Sequence, residues 1–355
     1  MELSRITKET IGRIASLGFG VVVLIVFINI VGINALKDVI LRANPIFIML
    51  TVGLELVGFM FYATAWYMLI RATGHRIPFF TCQGITFASI FVSYIMPSGI
   101  FLEAMRCLLG SRESGMSFGE STATVILHRM LYIVGFLGST ALALLGLMLV
   151  GSLSSSAIHD IAWLSVLSIV GLITLLYLSL NPKRTQAIMD HLLRFAEPLI
   201  RWVQKETKMS VKVNQFIDEY HVGFRRILSS RVNVLESFFA SLGDWACSVL
   251  ILWIVIFALG FEVSLWVVII VMAVGKMIQM TPIAVPGMLG IYEAAVTVSL
   301  SLFAVPVVVA ASAALLMRVI TFWLDLPITG LAAYHYGYKL MRKGGVSSGA
   351  AMTSS

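Results

Sequence analysis

Only one sizeable stretch of this chain is polar, residues 181–231; elsewhere one apolar run follows another. Hydrophobic residues make up 59% of the 355, and charged residues 12%, where soluble domains carry about 25%. With a mean hydropathy of +0.95, such a chain has to bury its backbone polar groups in helices within a bilayer. No separate folded soluble domain has room to form. The net charge of +7 falls between the apolar runs, where it serves orientation and anionic lipid rather than nucleic acid.

One apolar region, roughly 265–314, contains Lys276 to Glu293, a segment with two prolines, two glycines, a lysine and a glutamate. Pro282 and Pro286 each remove a backbone donor and clash with the preceding turn, so a helix breaks there. Broken backbone at membrane depth is tolerated where it is buried in protein or lines a wet cavity, the arrangement of transport sites. The blander reading is a kinked packing helix. A second interruption, Met96-Pro97-Ser98-Gly99, follows an apolar stretch from Phe79.

The spacing predicts a first uncleaved helix over about 12–33, an external loop over 34–44, and spans near 45–70, 120–150, 161–180, 232–259 and 307–336. Between them, two broken segments dip into the membrane and return. Ten Lys/Arg against five Asp/Glu in 181–231 place that segment, with both termini, on the cytoplasmic face of the cell membrane. Within it, Ile188 to Trp202 reads either as a helix on the membrane surface or as a connecting loop. The small polar residues from Gly344 read as a disordered tail. Cys82, Cys107 and Cys247 read as small buried hydrophobes.

The two interruptions share a register. Glu55 and Asp244, Pro97 and Pro286, and Arg129 and Arg318 are all related by one offset of 189 residues (244 − 55, 286 − 97, 318 − 129). Glu103 and Glu293 follow the respective breaks within one residue of that offset. The expected fold is therefore an all-α polytopic bundle. It has two inverted-topology repeats, about 45–150 and 232–336, each with a re-entrant broken-helix hairpin.

Nine charges fall in apolar segments: Glu55, Glu103, Arg106, Arg129, Asp244, Lys276, Glu293, Arg318 and Asp325. At about 3 kcal/mol each in the bilayer centre, together roughly 25 kcal/mol, they exceed the typical 5–15 kcal/mol stability of a fold. They pair or line a water-filled cavity. Glu103 and Arg106, three apart, share a helix face. The half-helices beginning near Ser98–Phe101 and Gly287–Ile291, with Gly99 and Gly290 at the turns, offer free N–H groups to an anion. Arg129 and Arg318 add planar donors suited to phosphate. The substrate-site candidates are thus Arg129, Arg318, Glu103, Glu293, Arg106, Lys276, Glu55 and Asp244. His128 reads as a packed, hydrogen-bonded histidine.

Three stretches carry a family resemblance: MPSGIFLEAMRCLLG (96–110), SFGESTATVILHRML (117–131) and VPGMLGIYEAA (285–295). They resemble the lysylphosphatidylglycerol synthase transmembrane family, the flippase-like domain of the bacterial multiple peptide resistance factor and its archaeal relatives. The resemblance implies a flippase for a phospholipid, aminoacylated or otherwise anionic or zwitterionic. A separate enzyme would modify that lipid, since the aminoacyl-transferase domain is absent. The sequence departs from the family pattern at Met288, where a second glycine is expected, and at His128, where an acid is expected.

No G-x-x-x-x-G-K-[ST] loop is present, so movement would run downhill or couple to an ion. No cofactor is called for, and a homo-oligomer is compatible with the sequence. Two alternatives stand beside the lipid transporter: a membrane enzyme acting on lipid-linked phosphates, and a scaffold for a lipid synthase. The six scattered histidines (75, 128, 159, 191, 221, 335) argue against the former.

Overall fold

The computed structural model describes residues 25–26, 28–29, 33–96, 100–149, 155–188, 209–280 and 285–336. Among them the secondary structure is helical throughout, with no strand. Four helices are long and apolar enough to cross a membrane: α2 (Pro45–Ala72), α5 (Phe118–Leu149), α8 (Arg231–Ala258) and α11 (Val307–Tyr336). At 1.5 Å per residue, the 28 residues of α2 reach about 42 Å, enough for a hydrocarbon core of about 30 Å with tilt. Its start is set locally: Pro45 occupies the first turn, and the Asn44 side chain accepts from the Ile46 N–H at 3.0 Å.

The remaining helices are α1 (Ile33–Leu41), α3 (Phe79–Ile95), α4 (Ile100–Ser114), α6 (Ser155–Leu180), α7 (Met209–Ser229), α9 (Leu265–Met280) and α10 (Ile291–Leu302). The short helices α3 and α4 pack against each other on either side of one interruption, and α9 and α10 on either side of the other. Among the described residues, helix gives way to extended backbone at Met96 and to a 3₁₀ turn at Pro286–Met288. Pro97 and Gly99, Pro282, and the tail from Gly344 lie outside the described residues, as does nearly all of the first helix and of the Ile188–Trp202 segment.

The most extensive helix contact joins α2 to α8. A glycine permits it: a Cβ at Gly243 would meet the Phe61 ring at 2.9 Å, and Gly58 faces Asp244 and Cys247 across the same contact. Gly58 lies one turn after Glu55, so the close crossing brings Asp244 of α8 toward the face that carries Glu55. Beyond it, Trp245, Phe136, Ile251, Val268, Val296 and Ala310 join one continuous core shared by α5, α8, α9, α10 and α11. Large apolar side chains such as Met49, Leu145, Phe239 and Leu331 are exposed on the outer faces, as a lipid-facing surface requires.

One expectation needs correction. Residues 34–41 of the expected external loop are helical, with Leu36 buried and Ile40 half-buried while Lys37 and Asp38 stay exposed. That spacing is amphipathic, and it lets α1 pack on α11. The end of the basic segment is a docked helix. Ile217, Tyr220, Phe224 and Ile227 of α7 recur at helical spacing and are buried, mainly against α5. Gly119 of α5 makes the approach possible, since a Cβ there would lie 2.7 Å from the Phe216 carbonyl oxygen. Arg226 bridges Glu120 at 3.2 Å, and His221 Nδ1 lies 2.9 Å from the Ser179 carbonyl. Burial holds the His221 imidazole below its ordinary pKa, against the opposing pull of that carbonyl.

Candidate functional site

Six of the eight charged candidates line one cavity of about 260 Å³: Glu55, Glu103, Arg129, Asp244, Lys276 and Arg318. They come from α2, α4, α5, α8, α9 and α11, so the site exists only once the bundle has assembled. The other two candidates, Arg106 and Glu293, stand behind the wall as partners of lining charges.

Around the first interruption, the three charges form a chain. Glu103 Oε2 lies 3.3 Å from Arg106 Nη1, and Glu103 Oε1 lies 3.6 Å from Arg129 Nη1. Arg106 is almost wholly buried, yet its charge is well accommodated. Its guanidinium lies 4.5 Å from the Trp66 ring centroid and 5.1 Å from that of Tyr62. It also donates to the Tyr62 hydroxyl at 3.1 Å and to His128 Nδ1 at 2.9 Å. Arginine has no acceptor to offer, so His128 Nδ1 must be the accepting nitrogen. His128 is thus buried and hydrogen-bonded, as expected. Arg129 differs from Arg106: its side chain is 38% exposed and touches Glu103 only loosely.

Around the second interruption, a 3₁₀ turn at Pro286–Met288 precedes α10. Gly287 and Gly290 take φ of 59° and 79°, the left-handed region that favours glycine. A Cβ at Gly287 would also sit 2.5 Å from Phe322 Cε2. Met288, between the two glycines, is held at φ 54° as well. Gly287→Ala is expected to cost about 2–5 kcal/mol, from left-handed strain of about 1–2 and overpacking of about 1–3. Thermal unfolding in detergent checks it, and an unchanged midpoint would mean the turn relaxes freely.

Glu293 is fully buried and uses both oxygens. Oε2 accepts from the Gly290 N–H at 2.7 Å, and Oε1 lies 3.0 Å from Arg318 Nε. The second approach is an ion pair without hydrogen-bond alignment. The Gly290 N–H, expected to be free for an anion, is therefore taken by the protein's own carboxylate. Arg318 is 7% exposed and has Phe322 and Tyr292 against its guanidinium, with ring centroids at 4.7 and 5.3 Å.

Lys276 projects over the Tyr132 ring, Nζ to centroid 5.6 Å. It lies within electrostatic range of Asp244, Glu55 and Arg129. Among the described residues no carboxylate comes within 4.0 Å of it. The site also contains groups that the charge pattern alone did not single out: Tyr62, Tyr94, Tyr132 and Tyr292 all line the cavity. Three of these tyrosines were detectable by spacing, since Tyr62, Tyr132 and Tyr292 stand seven, three and one residues from Glu55, Arg129 and Glu293. Asp325, counted among the membrane charges but not among the site candidates, is fully buried and accepts from the Tyr94 hydroxyl at 3.3 Å. Among the described residues no three His, Cys, Asp or Glu side chains are grouped to hold a metal ion.

Comparison with known proteins agrees with this architecture. Residues 13–328 match the family model described as the lysylphosphatidylglycerol synthase TM region. A UPF0104 membrane protein of Methanothermobacter thermautotrophicus is 24% identical over 318 residues, covering 89% of this chain and 93% of the relative. A UPF0104 membrane protein of Archaeoglobus fulgidus is 26% identical over 293 residues, covering 80% and 85%. One of Methanocaldococcus jannaschii is 24% identical over 323 residues, covering 90% and 92%. With its apolar spans, interrupted helices and near-complete match, the chain is a membrane protein belonging to the lysylphosphatidylglycerol synthase transmembrane family.

Proposed function

We propose that the cavity receives a phospholipid headgroup and that the protein moves the lipid between leaflets of the cell membrane. The observation that carries this reading is a single cavity with unequally satisfied charges. Arg129 and Lys276 offer cationic donors, while Glu55 and Asp244 offer anionic acceptors. Phosphate suits the first pair and an amino group the second, which together describe a zwitterionic or aminoacylated headgroup. At about 260 Å³ the cavity falls just below the roughly 300–1,000 Å³ of small-molecule sites. It holds a headgroup, leaving the acyl chains in the bilayer.

In this reading α3–α4 and α9–α10 are the re-entrant hairpins of two inverted halves, related by the 189-residue offset. Their rocking opens the cavity alternately to each side. The basic segment and both termini face the cytoplasm, where anionic lipid and a separate lipid-modifying enzyme are the partners. The chain performs no covalent chemistry of its own. Proteoliposomes carrying a trace fluorescent phospholipid test the proposal. Impermeant quencher should reach most of the label when the protein is present and only the outer leaflet when it is absent. Equal protection in both preparations would refute lipid movement. A single cysteine at Arg225 should be labelled only from the cytoplasmic side, and labelling from outside would invert the orientation.

A further inference from the structure

The five acids in and behind the cavity wall (Glu55, Glu103, Asp244, Glu293, Asp325) outnumber the four bases (Arg106, Arg129, Lys276, Arg318) by 5 − 4 = 1. The surplus is concentrated in one place. Asp325 is fully buried, and its Oδ1 has no hydrogen-bond partner among the described residues. Its carboxyl group lies within hydrogen-bonding reach of the Glu55 carboxyl across the α2–α11 contact. Among the described residues no Lys, Arg or His comes within 4.0 Å of either group. Two carboxylates in contact, away from bulk water and without a close cation, cannot both stay ionised. An unpaired buried oxygen facing a second carboxyl is what one shared proton satisfies.

We propose that Glu55 and Asp325 form a proton-binding pair that holds one proton between them and exchanges it with the cavity through Glu55. Glu55 lines the cavity, while Asp325 stands behind it, steadied by Tyr94. The groups that face the pair are Tyr94 from α3, Asp244 and Cys247 from α8, Lys276 from α9 and Tyr292 from α10, and Arg318 of α11 faces Tyr94. Asp325 closes a stretch of π-helix, Val319–Leu324. Pro327 explains the distortion, since it cannot donate to the Trp323 carbonyl. Such widened turns recur where a helix carries function.

With one proton on the pair, the nine charges sum to zero. An ammonium group arriving at Glu55 takes the place of that proton. The O–H bond breaks, both electrons stay on the carboxylate, and the proton leaves to cavity water as hydronium. Headgroup and proton then travel in opposite directions. This coupling rests on the lipid reading above, whereas the proton pair stands without it.

pH-difference infrared spectroscopy of the full chain in detergent tests the pair directly. One protonated-carboxyl band should disappear as pH rises, and Glu55→Gln and Asp325→Asn should each remove or displace it. If no such band exists, or both variants leave it unmoved, the pair is refuted. Unmodified protein gives a second reading that needs no variant to fold. Adding glycerophosphoethanolamine to a weakly buffered sample should release protons, up to one per chain, and no release would refute the exchange. In proteoliposomes, reversing an imposed pH gradient should change the rate of fluorescent-lipid movement several-fold. Lipid movement indifferent to the gradient overturns the coupling; a carboxyl band without lipid movement at any pH overturns the lipid reading and keeps the proton pair.

Discussion

Arg318→Met should lower the stability of the protein by about 3–5 kcal/mol, the cost of leaving a buried carboxylate without its cation. Glu293 is fully buried, and Arg318, 3.0 Å away, is the only cation within ion-pairing distance of it among the described residues. The guanidinium also packs on Tyr292 and Phe322, so its removal opens space where the 3₁₀ turn meets α11. Against a typical total of 5–15 kcal/mol, the single variant is expected to aggregate or express poorly. The double variant Glu293→Gln, Arg318→Met should recover much of the loss. The charge is then gone, and the amide oxygen can still accept from Gly290. Thermal unfolding of the four proteins completes the cycle. A single variant as stable as the wild type would show that Glu293 does not depend on Arg318.

The long helices were legible because a bilayer demands one pattern of them: about 20 apolar residues and few charges. Prolines marked the two interruptions for an equally local reason, a missing donor. The pairing of charges was only partly legible. Glu103 with Arg106 follows from helical spacing, and its 3.3 Å contact is observed. Arg129 and Arg318 occupy matching places in the 189-residue register, which suggests matching roles. The structure separates them, because the turn at Gly290 lets Glu293 reach back and bind both its own helix start and Arg318. A capping contact of that kind depends on backbone geometry that a one-dimensional register does not contain.

Asp325 was hidden for a related reason. Its partners, Glu55 and Tyr94, lie 270 and 231 positions away (325 − 55 and 325 − 94), and only the packing of α2 and α3 on α11 brings them together. The helix α7 was a different kind of miss. Its apolar positions, Ile217, Tyr220, Phe224 and Ile227, stand at helical spacing inside a stretch read only as basic and cytoplasmic. Short polar helices depend for their stability on the surface they dock against, here the glycine-permitted face of α5.

Arg129→Ala, by contrast with Arg318, should leave a folded protein that no longer moves lipid. At 38% exposure Arg129 gives up little packing when truncated, and Glu103 keeps Arg106 at 3.3 Å, so no buried charge is stranded. What is lost is the most accessible planar cation of the cavity wall. If it holds the lipid phosphate, a charge-assisted contact of about 2–3 kcal/mol disappears, which corresponds to a roughly 30- to 150-fold loss of affinity. Arg129→Lys should restore part of the activity, since the charge returns without the two-pronged donor geometry. Glu103→Gln should instead cost stability, because it leaves the buried Arg106 without its carboxylate partner. Reconstitution of each variant at matched protein density, with thermal unfolding beside it, separates binding from stability. An Arg129→Ala protein that unfolds at the wild-type temperature and moves lipid at the wild-type rate would shift the phosphate to Lys276 or Arg318, the other cations of the cavity wall.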